Sequence, residues 1–432
     1  MKILKFTLIL MLYSSLVFGQ ENIFSIGGEI RNRAEFRDGY GTLLTPQQDP
    51  TFFNAQRNRI ILDASYQNFI VKLTLQDLRI WGESVYGSTG NDNNSLDFYE
   101  AWIKYKFSEK WALKFGRQEI TYDDGRIFSS SVFKNTSVTH DAAVLIYENK
   151  EKNMEFHLGA VGTNSKEDNY LNSYSLNQYK YLGFAWFGKK ISDNFKFSLI
   201  DIADGNQKAN TNGTVYLRNT AGTNFTASYL GFELTGIFYT QNGKIKDGRD
   251  VNANFYSLNF SYKYGKLKAT AAYDHYSGSD ITNSKYSEES NSFDKLFGTG
   301  HTFLGYMDYI ASNIPNDTKN AGVNDLIGQL KFKFSDKLNL ETTFHLFSLD
   351  KENITNASNS VVKVDKLLGS EVDLMLIYSP NKTITINTAY CFMLQKESME
   401  ILKNVAKDQS RFPQWFYLMI TFKPTFFTTK KE

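Results

Sequence analysis

The residues best suited to chemistry in this chain are its arginines. There are eleven, at 31, 33, 37, 57, 59, 79, 117, 126, 218, 249 and 411, and eight of them precede residue 127. In an extended segment Arg31, Arg33 and Arg37 fall on one side, and Arg57 and Arg59 do the same in the next. A guanidinium is planar, stays charged and grips carboxylates or phosphates without giving up a proton. A wall of such groups suits an anionic solute that is bound weakly and let go. The same arginines could instead pair with Glu29, Glu35, Asp63, Asp77, Glu100 and Glu119 and brace the structure, since buried charges are normally paired. Both readings stand on the residues alone. Arg79 and Arg117 fit less well: alternation counted from Leu73–Leu75 and Trp111–Phe115 points them to the apolar side, unless a bulge near Gly116 or a strand end re-aims them. The segment 116–126, Gly-Arg-Gln-Glu-Ile-Thr-Tyr-Asp-Asp-Gly-Arg, ends in Arg126 and leads into a long connection. Three readings of it stand side by side: a constriction loop folded into the lumen, a calcium site through Asp123 and Asp124, for which two adjacent Asp are weak evidence, or a solvated loop. The five histidines (140, 157, 275, 301, 345) are scattered, and neither HExxH, GxSxG nor a glycine-rich phosphate loop occurs. Asp274, His275 and His301 joined by a serine are the one hydrolase arrangement worth testing.

The elements that would position these groups have a period of two. Ile30, Ala34 and Phe36 alternate with Arg31, Arg33 and Glu35; Ala101, Ile103, Tyr105 and Phe107 alternate with Glu100, Trp102, Lys104 and Lys106. Residues 331–334 and 383–388 repeat the pattern. Eight tight polar turns are expected at 66–68, 107–110, 149–152, 191–194, 227–229, 263–265, 335–337 and 379–382. Nine long connections lie near 38–53, 80–96, 119–137, 164–177, 203–212, 242–249, 279–321, 350–366 and 396–411. Eight hairpins, a leading strand (24–37) and a closing strand (412–424) make eighteen. The stretch 301–311 has strand-like composition, but a strand there would make the count odd, so it is placed inside the 279–321 connection. Alternating short turns and long loops with an even strand count predict an all-β fold, a transmembrane antiparallel β-barrel of about eighteen strands.

Composition agrees. The 432 residues are 41% hydrophobic and 15% aromatic with mean hydropathy −0.39, too polar for a bundle of membrane-spanning helices. A chain that crosses lipid without helices must close its sheet, because every backbone N–H and C=O in hydrocarbon needs a partner. One cysteine, Cys391, excludes a disulfide framework. Lys plus Arg is 48 against 46 acids, and the first twenty residues hold two lysines and no acid. The remainder is therefore neutral, and no nucleic-acid partner is expected. Lys2 and Lys5, the apolar run 6–18 and Val17-Phe18-Gly19 read as a signal peptide, residues 1–19, leaving 20–432 as a single barrel domain.

With that frame in place the chain resembles the alginate-export family of outer-membrane porins. The residues carrying the resemblance are Gly28-Glu29-Ile30-Arg31 with Arg33 and Glu35 through Tyr40; Gln56-Arg57-Asn58-Arg59; Gln76 through Gly82; Glu100-Ala101-Trp102; Gly116-Arg117-Gln118-Glu119 with Tyr122 to Phe128; Phe297 through Tyr309; and Trp415 to Phe427. The resemblance implies an eighteen-strand barrel in the bacterial outer membrane that passes an anionic polysaccharide through an arginine-rich constriction. The expected pathway residues are Arg31, Arg33, Arg37, Arg57, Arg59, Arg79, Arg117, Arg126 and Lys104, with Glu29, Glu35, Glu100 and Glu119 as paired acids. The expected partners are an anionic polysaccharide or small anionic solute and membrane lipid, with the barrel a monomer, no cofactor and no enzyme activity. The alternative is a non-transporting scaffold that acts through its outer loops, chiefly 279–321.

Overall fold

The computed structural model describes residues 22–430, apart from 83–95, 165–166, 168, 170–178, 209–210 and 212. The expected signal peptide, 1–19, lies outside the described residues. Eighteen strands form the wall: β1 Ile23–Asp38, β2 Thr51–Tyr66, β3 Phe69–Ile80, β4 Asp97–Lys106, β5 Trp111–Gln118, β6 His140–Asn149, β7 Met154–Gly162, β8 Tyr181–Ser192, β9 Phe195–Gln207, β10 Val215–Tyr229, β11 Phe232–Lys244, β12 Asp250–Tyr264, β13 Leu267–Tyr276, β14 Val323–Lys333, β15 Leu338–Leu349, β16 Leu367–Tyr378, β17 Ile384–Gln395 and β18 Gln414–Phe422. Each pairs antiparallel with the next, and β18 closes on β1 with Phe416 opposite Phe36 and Leu418 opposite Ala34. A short piece, Thr425–Thr428, extends the closing pair along β1 past a bulge at Ile26/Gly27.

Closure leaves none of these eighteen strands as an edge of the sheet. The outward positions then form an apolar belt, with Phe52, Ile60, Leu113, Phe115, Leu258 and Phe260 among its exposed side chains. A water-soluble protein would not leave so large a patch bare; facing hydrocarbon, it is what holds the barrel in place.

The tight and long connections alternate as expected, and 301–311 forms turns inside the loop. Two hairpins turn later than expected, at 230–231 and 265–266 instead of 227–229 and 263–265. Leu230 and Gly231 both have positive φ, 47° and 85°, the backbone of the turn that suits a two-residue hairpin. An apolar leucine in that position hid the turn.

The long loops do not all stay outside. The connection after β5, loop 3 (119–139), and the one after β13, loop 7 (277–322), enter the barrel. Ile127 and Phe128 of loop 3 and Phe293, Leu304, Met307 and Ile310 of loop 7 pack on inward-facing Phe184, Tyr239, Phe255, Phe347, Met393 and Trp415. This half of the lumen is therefore a hydrophobic core rather than a wholly polar bore. Each buried aromatic or branched side chain contributes about 1.5–3 kcal/mol, which offsets the entropy of ordering long loops. Loops 3 and 7 are also joined by backbone hydrogen bonds, from Phe297 N–H to the Ile127 carbonyl (3.0 Å), Ser129 N–H to Phe297 (3.3 Å) and Thr299 N–H to Gly125 (3.1 Å).

Candidate functional site

Alternation on β1 and β2 turns Glu29, Arg31, Arg33, Glu35, Arg57 and Arg59 inward, and the register sets Arg31 opposite Arg57 and Glu29 opposite Arg59. Four guanidiniums this close need many acceptors. Glu29 takes Arg57 (2.6 Å), and Glu35 takes Arg33 (2.7 Å), Arg37 (2.7 Å) and the Trp415 indole N–H (3.1 Å). Loop 3 supplies the rest. Arg31 donates to the Val132 carbonyl (2.7 Å) and to Asn135 Oδ1 (2.6 Å), and Arg33 donates to the Phe133 carbonyl (2.7 Å). Arg57 and Arg59 both reach Ser137 Oγ (3.3 Å each). Arg59 also takes Gln76 and lies over the Tyr99 ring (3.7 Å). As a result Arg31, Arg33, Arg57 and Arg59 are only 3, 4, 2 and 9% exposed. The cluster is a clamp on a loop: its donors meet carbonyls and carboxylates, and little of it meets solvent.

The other end of loop 3 is fixed on the far wall. Arg126 bonds Asp124 (2.9 Å), Asp274 of β13 (2.5 Å) and the Tyr276 hydroxyl (2.9 Å), and stacks over Phe303 of loop 7 (4.0 Å). Loop 3 thus crosses the bore from β13 to β1. An inward loop is one of the three readings of 116–126; the stretch held by the arginine cluster is 132–137, where serine, asparagine and backbone carbonyls gave no sequence signal.

Arg79 and Arg117 are corrected from the expected pathway. Both stay on the outer face, 46 and 37% exposed, Arg79 paired with Asp77 (2.8 Å) and Arg117 forked onto Asp141 (2.9 and 3.1 Å). The register runs unshifted through Gly116, which has φ +119° and would place a Cβ 2.3 Å from the Ala101 carbonyl. The bulge lies instead between β3 and β4, where the partners skip from Glu100 to Phe98. It turns Tyr99 inward, where its hydroxyl donates to Glu119, and leaves Phe98 exposed. Arg37 keeps a water-accessible position near the loop end, stacked on Tyr40 and Phe53.

Asp123 and Asp124 do not converge as a cation site. Asp123 accepts from Ser198 Oγ (2.6 Å) and Trp186 Nε1 (3.3 Å), while Asp124 faces Arg126. Burial pushes both carboxyls above their ordinary range. Among the described residues no group of three candidate ligands comes together. The hydrolase arrangement also separates: Asp274 points in to Arg126, whereas His275 bonds Asn324 (2.6 Å) beside the exposed Tyr256 ring, and His301 bonds Asp308 of its own loop (2.8 Å).

Toward the tight-turn end the wall is polar. A cavity of about 660 Å3 is lined by Asp123, Trp186, Lys190, Lys196, Ser198 and Glu233. On β4 and β5, Lys104 and Lys114 sit directly opposite each other on the inner face, half-buried. Lys114 lies over Trp102 (4.1 Å), and nearby Lys72 pairs with Glu100 (2.8 Å). Among the described residues neither Lys104 nor Lys114 has a carboxylate within 4 Å; Glu148 and Glu155 act on Lys104 from farther off, and Glu100 and Glu119 on Lys114, so the repulsion between the two lysines is offset only in part. The sequence reading included Lys104 but not Lys114, although Ala112, Lys114 and Gly116 share the inward parity. At the loop end a second cavity, about 510 Å3, lies between His140, Arg218, Arg249, Asp294 and Asn316.

A family model described as alginate export matches residues 23–392. No curated protein matches at the sequence level. Similar solved structures include Pseudomonas aeruginosa OpdO (14% identity, 94% of this chain and 98% of that one, TM-score 0.60) and Acinetobacter baumannii OccAB1 (14%, 93% and 97%, 0.61). Pseudomonas aeruginosa OpdK solved with vanillate is a third (12%, 93% and 99%, 0.60). At these identities the likeness is one of fold.

Proposed function

Because the chain belongs to the alginate-export family and is an outer-membrane β-barrel channel, we propose that it passes anionic oligo- or polysaccharides, or other carboxylated solutes, by passive diffusion. The observation that carries this reading is the Lys104–Lys114 pair. Two ammonium groups held side by side on the inner wall raise the local anion concentration without a fixed partner to displace. A carboxylate arriving between them relieves their repulsion, and because both are compact, well-hydrated charges it can also leave. The buried arginines shape the route by holding loop 3. The anion-meeting role is assigned to the lysines, with Lys196 adding to the field; Arg37 and Lys190 are neutralised by Glu35 and Asp193. The vanillate bound in the structurally similar OpdK is itself a carboxylate, which agrees with this solute class.

Liposome uptake tests it. Proteoliposomes should take up a uronic-acid disaccharide faster than a neutral disaccharide of the same size. Replacing both lysines (Lys104→Ala with Lys114→Ala) should remove most of that preference and leave neutral uptake within about twofold. Equal uptake of the two sugars by the unaltered protein would reject the proposal.

A further inference from the structure

Beside the arginine clamp, across the closing strand β18, the inner wall of β14–β17 is acidic. Glu371 and Asp373 of β16 are 0 and 2% exposed. They are two residues apart on a strand, so both point inward, and their carboxyl groups face each other. Loop 7 rests on them through its backbone. Met307 N–H donates to Glu371 Oε1 (2.7 Å), and Tyr306 N–H to Asp373 Oδ2 (3.2 Å). Gly305, at φ +76°, makes the contact feasible: a Cβ there would lie 2.5 Å from Glu371 Oε1. The same turn is tied to the connection between β1 and β2 (39–50) by Gly41 N–H donating to the Met307 carbonyl (2.8 Å).

The charge around this contact does not balance. His345 of β15 bonds Asp325 of β14 (2.7 Å) and lies 3.6 Å from Asp373. Cys391 of β17 sits across the strand from Asp373. Asp274 of β13 is already taken by Arg126, and loop 7's Asp308 by His301 and Tyr40. One imidazole therefore reaches two of the three buried carboxyl groups, Asp325 and Asp373, and not Glu371. Among the described residues Glu371 Oε2 and Asp373 Oδ1, one oxygen from each acid, have no hydrogen-bond donor. A proton held between the two acids supplies that missing donor and removes one of two like charges.

We propose that Glu371 and Asp373 form a proton-operated latch for loop 7. While they share a proton, they hold the turn 304–307 against the wall; when the proton leaves to water, their repulsion releases the turn and widens the bore. This regulation rests on the reading of the chain as a diffusion channel. The sign follows from linkage: the latched state binds more protons than the released one, so it is favoured as pH falls. One linked proton changes the latched-to-released ratio by up to about tenfold per pH unit.

The test is hydrogen exchange of the Tyr306 and Met307 amides in the detergent-solubilised full chain, as protection factors corrected for intrinsic rates, from pH 5.5 to 8.5. Protection should fall at least tenfold over that range, with channel conductance rising in parallel. Glu371→Gln still accepts from Met307 N–H but cannot ionise, so its amides should stay protected at both ends; Asp373→Asn gives an independent second variant. Flat protection in the unaltered chain, or the same pH dependence in both variants, would overturn the latch. Ion selectivity is read separately from reversal potentials. A cation-selective channel would defeat the functional reading, and the protection factors would still decide the latch.

Discussion

Arg57 shows what a single residue contributes. It is buried, paired with Glu29 at 2.6 Å, and reaches loop 3 at Ser137. Removing one member of such a pair strands the other charge, at a cost of about 3–5 kcal/mol. Arg57→Ala is therefore expected to lower the urea midpoint of unfolding in lipid vesicles, with Glu29→Gln added in the same chain recovering part of the loss. An unchanged midpoint in the single variant would mean that the pair contributes little. Strand parity made the facing of Arg31, Arg33, Arg57 and Arg59 legible in the sequence, and it also pointed Arg79 and Arg117 outward. What parity could not supply was the partner. About half of the acceptors for these guanidiniums are backbone carbonyls at 132–134, 75 to 103 residues away in the chain, and every residue type carries a carbonyl. The Glu371–Asp373 pair was equally silent, since its meaning comes from the loop laid over it.

Among the elements, loops 3 and 7 act as one unit. Gly298 allows their closest approach: a Cβ there would lie 1.8 Å from the Arg126 carbonyl. Gly298→Ala should push the two loops apart and raise single-channel conductance in planar bilayers. Its ion selectivity should not change, because Lys104 and Lys114 are on strands that the substitution does not touch. Conductance equal to that of the unaltered chain would show that the loop contact does not limit flow. The sequence marked both loops as long connections and kept 301–311 out of the strand count. It could not show that their apolar residues pack inside the barrel, because Phe128, Phe293 and Met307 read equally well as outer-loop residues. The inward Phe184, Tyr239 and Phe255 that receive them look, in isolation, like members of the lipid-facing set.

For the whole molecule, closure of β18 on β1 fixes everything else. The ring removes sheet edges, sets one apolar face to lipid, and leaves an interior divided into a loop-filled half and a polar half toward the tight turns. Eighteen strands were countable because turn length and alternation are local properties. The division of the lumen depends on which loops fold back, a tertiary outcome that local pattern does not encode. In this arrangement a nearly neutral chain sets two ammonium groups, Lys104 and Lys114, opposite each other on the inner wall, along the proposed route of the solute. The most direct measurement is the reversal potential of the purified barrel in a planar bilayer with a tenfold potassium chloride gradient. The account predicts a chloride-preferring potential that moves toward zero when Lys104 and Lys114 are both changed to Ala. A potassium-preferring channel, or a chloride preference untouched by the double change, would contradict it.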